Sequence, residues 1–164
     1  MGSAMWWGGP FKKAALLVGL GLVLAGVGCG EGEGVAGDAA VTVYAANAAC
    51  PGAQRAAEGR AGEIAPLKVR VLCLPAVEDR GRLDLAQIGA NARRASEDST
   101  AIAYIGEAEP RANLYSKPIL EEAGIAQLPG VSGAVAIGRI FDSIRAQGGS
   151  GNLRESVDGD LAGA

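Results

Sequence analysis

The sequence predicts an α/β domain built on a parallel sheet of about four strands with flanking helices. Short β-rich runs begin near residues 41, 67, 101 and 125, and helical patterns alternate with them. That alternation is the signature of βαβ units, whose crossovers are right-handed. The 164 residues suit one domain and are too few for a large multidomain enzyme. With 49% hydrophobic but only 4% aromatic side chains, the core must be Ala, Val, Leu and Ile.

The opening stretch, Met1–Lys13, ends in Lys12–Lys13 and is followed by an uncharged, mostly apolar run, Ala14–Gly28, closed by Glu31 and Glu33. A positive stretch followed by a short apolar run reads as a secretory signal helix over 1–28, too short for a spanning helix. The run ends at Leu24-Ala25-Gly26-Val27-Gly28-Cys29, which resembles the lipobox of bacterial lipoproteins, with Gly26 where the pattern prefers Leu. That resemblance implies lipidation of Cys29 and a membrane anchor on the extracytoplasmic face of the cell membrane. The alternatives are an uncleaved anchor or soluble export. Residues 29–39, rich in Gly and acids, read as a flexible tether. The folded lobe then occupies 40–164.

Val41–Ala45 is the first strand. Pro51–Gly52 marks a turn, and Ala53–Glu63 reads as a helix. Leu67–Leu74 is the next strand, with Leu67, Val69, Val71 and Cys73 on one face, ended by Pro75. Glu78–Arg82 is a polar loop. Asp84 and Gln87 have the spacing of a capping box, and Leu85, Ile88, Ala92 and Ala95 form the apolar stripe of the helix they open. Ala101–Ile105 is apolar on both faces, as a buried parallel strand requires. A helix near Ala112–Ala123 follows, with Gly124 as its stop signal. Ile125–Leu128 is the fourth strand, Ala134–Gln147 the last long helix, and Leu153–Leu161 one short final helix. The stripe Ile137, Ile140, Phe141 and Ile144 reads as core; uncovered, it would instead be the contact face of a homodimer.

Once Cys29 is set aside, Cys50 and Cys73 remain. An oxidising compartment favours a disulfide between them, stabilising by roughly 3 kcal/mol in the chain-entropy model; the alternative is two buried free thiols.

Composition narrows function. With no His, the commonest metal ligand and the usual base of a hydrolytic triad are missing, and no nucleophile–base constellation is visible. No enzyme activity, cofactor or metal is expected. A net charge of −3 gives no nucleic-acid footprint. Glu107, Glu109, Glu121 and Glu122 read as solvated acids rather than paired catalytic carboxylates.

Ile88–Gly106 (IGANARRASEDSTAIAYIG) and Lys117–Gln127 (KPILEEAGIAQ) resemble the first lobe of periplasmic solute-binding proteins, most of all the leucine/isoleucine/valine-binding lipoproteins that serve ABC importers. Val41–Tyr44 matches the family's opening strand, and Ile137–Val157 resembles its C-terminal helices. The resemblance implies a single Rossmann-like lobe of the type 1 binding-protein fold, an amino-acid-like small ligand and an ABC permease as partner. Family members have a second lobe, which this chain lacks by the same comparison. They grip the ligand with a Ser after the third strand and with amides of a helix start. Pro110 stands at that Ser position. Transferred residue by residue, the candidate ligand contacts are Glu109, Arg111, which would clamp a carboxylate, and Asn113, which would replace a Thr. A non-binding envelope lipoprotein, using the half-fold as an interaction or sensor module, is the alternative function.

Overall fold

The computed structural model describes residues 40–79, 81–148 and 152–162. The signal segment, the Cys29 lipidation site and the tether lie outside these residues. The elements are β1 (Ala40–Ala45), α1 (Cys50–Gly59), β2 (Lys68–Cys73), β3 (Glu78–Asp79), β4 (Arg82–Leu83), α2 (Leu85–Glu97), β5 (Ala101–Ile105), α3 (Pro110–Glu122), β6 (Ala126–Leu128), α4 (Gly133–Ala146) and α5 (Leu153–Ala162).

Four strands form one all-parallel sheet in the order β2-β1-β5-β6, the arrangement of a single Rossmann-like lobe. All five residues of β5 are buried, because helices cover both faces of an interior parallel strand. Edge strand β2 alternates exposed Lys68 and Arg70 with half-buried Val69 and Val71. Charges on an edge discourage pairing with another chain. On one face lies the cluster that joins α1, α4 and the start of α5 to the strands. Ile137, Ile140, Phe141 and Ile144 sit in it at 0–2% exposure, so that stripe is core and not a dimer face. On the other face α2 and α3 cover Tyr44, Leu74 and Tyr104.

Local chemistry explains the boundaries. Helix α1 starts three residues before the expected Ala53, since Pro51 in its first turn needs no N–H partner there. It ends at Gly59, and residues beyond it turn back with Gly62 at φ 94°. The end of α3 is a Schellman motif: Gly124 at φ 64° donates to the Glu121 carbonyl and Ile125 donates to that of Leu120. The polar loop at Glu78–Arg82 is instead a two-stranded antiparallel hairpin, β3–β4, with Gly81 at φ 75° in its turn.

Only half of the expected capping box forms. Asp84 accepts from the Gln87 amide at 3.0 Å, but the Gln87 side chain donates to Asn91 Oδ1 at 2.8 Å instead of reaching back. The Asp84 N–H is already taken by the Val77 carbonyl at 2.8 Å. Leu85 also departs from the expected stripe: at the helix start it is 50% exposed, while Ile88, Ala92 and Ala95 are buried.

Cys50 and Cys73 are joined as a disulfide, Cα–Cα 5.4 Å, tying the end of β2 to the start of α1. At the opposite, amino end of the strands, Arg154 of α5 donates to three carbonyls: Ala101 at 2.8 Å, Ala123 at 3.1 Å and Asp98 at 2.8 Å.

Candidate functional site

The sheet order fixes where a ligand would go. From β1 the chain steps to β2 on one side, then crosses to β5 on the other, so the order reverses between β1 and β5. In open parallel sheets the ligand crevice lies outside the carboxyl ends of the strands at such a reversal. Here that position holds a cleft of about 420 Å³. Its walls are small residues, Ala46 and Ala49 after β1, Gly106 and Ala108 after β5, and Gly130–Ala134 after β6, with Arg55 of α1 and Ser132 as polar groups.

Close packing shapes this cleft. A Cβ on Gly133 would lie 2.0 Å from the Ala49 carbonyl oxygen and 2.6 Å from Ala53 N, so only glycine lets the start of α4 rest on the first turn of α1. Both helix starts therefore open at the same place. Ser132 caps α4 by accepting from the Val135 amide at 3.4 Å; no side chain caps α1. Arg55 carries an exposed guanidinium at the rim.

The residues expected from the sequence lie on the other side of the β5 loop. Glu109 is the N-cap of α3. Its Oε1 accepts from Arg111 N at 3.3 Å and from Arg111 Nε at 2.9 Å. Those bonds hold the Glu109 carboxyl below the usual range and raise Arg111. The positive end of α3 is thus already met by the chain's own carboxylate. Glu109 and Arg111 line a second, shallow cleft of about 380 Å³ with Glu78 and Arg82 of the hairpin.

Asn113 has a different job from the expected ligand contact. It is 6% exposed. Its Oδ1 accepts from Glu107 N at 2.9 Å and from Gln127 Nε2 at 3.4 Å. Its Nδ2 donates to the Glu107 carbonyl at 2.7 Å and the Glu109 carbonyl at 3.2 Å. An Asn amide offers two donor and two acceptor positions, and all four are filled from within the chain. Asn113 therefore builds the Gly106–Glu109 loop. A Cβ on Gly106 would come within 2.1 Å of Asn113 Oδ1, which is why glycine stands there.

Behind this loop Glu107 is half-buried, with Oε1 lacking a hydrogen-bond partner. Burial, then the neighbouring Glu78, pushes its carboxyl above the usual range. Burial, then Glu107, likewise holds the Tyr104 phenol protonated well above its ordinary value.

Sequence reasoning missed Arg55 and Ser132. Ser132 had a local signal, a Ser followed by a helical run, but its place in the crevice depends on the sheet order. Among the described residues no group of three His, Cys, Asp or Glu is placed to hold a metal ion, and no helix is long and apolar enough to cross a membrane. No family model, curated protein or solved structure matches the chain.

Proposed function

We propose that the chain is a lipid-anchored, extracytoplasmic solute-binding lobe of the branched-chain amino-acid importer type, holding a small carboxylate-bearing, amino-acid-like ligand between β1 and β5 beside an ABC permease. The observation that carries this reading is the crevice at the strand-order reversal, where the starts of α1 and α4 converge next to Arg55. A carboxylate placed there meets the positive ends of two helix dipoles and a guanidinium.

Thermal unfolding of the purified protein against the common amino acids at millimolar concentration tests this. A ligand at 100 times its dissociation constant stabilises the fold by about 2.7 kcal/mol. Arg55→Ala removes that stabilisation, while Arg111→Ala, whose guanidinium is committed to Glu109, leaves it. If no amino acid shifts the transition, the ligand reading fails. The second reading, an interaction or sensor module on an envelope lipoprotein, then stands. It is favoured by the self-neutralised start of α3 and the saturated Asn113. Anchoring is tested separately: labelled palmitate follows the wild-type protein and is lost in Cys29→Ala.

A further inference from the structure

The Cys50–Cys73 disulfide is asymmetric. Cys50, the first residue of α1, is 1% exposed and belongs to the core cluster, whereas Cys73, the last residue of β2, is exposed. The bond joins the edge strand β2 to the start of α1. In the four-stranded sheet β2 pairs with β1 alone, and the start of α1 has no side-chain cap. The residues that follow Cys50 (Pro51, Gly52 and Arg55) line the crevice at the strand-order reversal.

We propose that this disulfide is a reducible latch on the crevice wall, opened by a dithiol that attacks Cys73. In the first step a thiolate of the dithiol attacks Sγ of Cys73, the exposed residue of the pair. The Sγ–Sγ bond breaks and its electron pair goes to Cys50 Sγ, which takes up a proton. The second thiol of the reductant then attacks its own sulfur in the mixed disulfide, and Cys73 leaves as a thiolate. The reductant is oxidised by two electrons to a disulfide and the protein gains two thiols. The first turn of α1 then keeps its backbone bonds from Ala49 and Cys50 to Ala46 and from Ala53 to Ala49, but loses its covalent tie to β2. The sheet retains its ladder. An extracytoplasmic dithiol as the natural reductant rests on the export reading above; the chemistry of the latch does not.

Two measurements on the whole protein test the latch. After brief treatment with glutathione, alkylation and peptide mapping, glutathione is expected on Cys73 and the alkyl group on Cys50. Glutathione shared equally, or on Cys50, overturns the order of attack. After full reduction with dithiothreitol, amide hydrogen exchange in residues 46–55 is expected to speed up at least about tenfold while residues 101–105 stay protected. Cys50→Ser/Cys73→Ser is expected to reproduce that pattern without any reductant. Unchanged exchange at the start of α1, or an equal rise across the sheet, overturns the latch. These readouts involve no amino-acid ligand and no lipid, so they fail or succeed independently of the proposed function.

Discussion

Asn113 shows how one side chain can be tied to a loop. Its four hydrogen bonds reach residues 107, 109 and 127, and none of them is visible in the local sequence pattern around 113. The spacing from Glu109 to Asn113 marks the start of a helix. It cannot say that the amide turns inward to pair with the chain on both sides. Asn113→Ala leaves the Glu107 N–H and carbonyl without these partners, at a cost of about 2–3 kcal/mol. A lowered denaturant midpoint with an unchanged slope checks this. Glu107 gives a prediction of opposite sign. Its folded-state value is raised, so its contribution is fully present below the unfolded carboxyl value and is lost as pH rises through the folded one. Glu107→Gln is therefore expected to raise the melting temperature at neutral pH, and the gain should vanish in acid. Equal gains at both pH values would refute the burial of charge at this position.

At the scale of the element, the strands and helices were legible because their signals are local. AIAYI reads as a buried strand, and Ile137, Ile140, Phe141 and Ile144 recur at helical spacing. Gly124 was readable as a stop because only its conformation is needed, not its partners. The hairpin β3–β4 was not legible, since its strands are two residues each and carry mostly polar side chains. The second half of the capping box was equally hidden: the Asp84 amide is claimed by Val77, seven residues earlier. Helix α5 is short and, with Gly159 and several acids, weak by propensity. Leu153 and Val157 anchor it in the core, and Arg154 adds its hydrogen bonds to three carbonyls, so Arg154→Ala should cost about 1.5–3 kcal/mol, the range for a hydrogen bond to a charged group. Arg154→Lys, which cannot span three carbonyls at once, should recover only part of it. Chemical denaturation of the three proteins side by side measures both.

For the whole molecule, alternation of strands and helices was enough to predict a parallel sheet, and the sheet is parallel throughout. The order of strands was not in the sequence, and the order decides which loops meet. It brings Ala46–Gly52 against Gly130–Ala134 and leaves Glu109 and Arg111 facing the hairpin. The crevice and the residues that the sequence assigns to it therefore fall on different sides of Gly106. A reader of the sequence sees the loops in a row; the reversal between β1 and β5 chooses among them.

The three carbonyls gathered by Arg154 come from residues 98, 101 and 123, and the guanidinium that receives them arrives 31 residues after the last of these. A chain that emerges from its amino end, from a ribosome or through a membrane, makes every strand of the sheet before it makes this fastening. Until then the carbonyls of Asp98, Ala101 and Ala123 lack this donor. The lobe therefore reaches its final stability late, only once residue 154 is out, and an earlier stop would leave a sheet without its closing clasp.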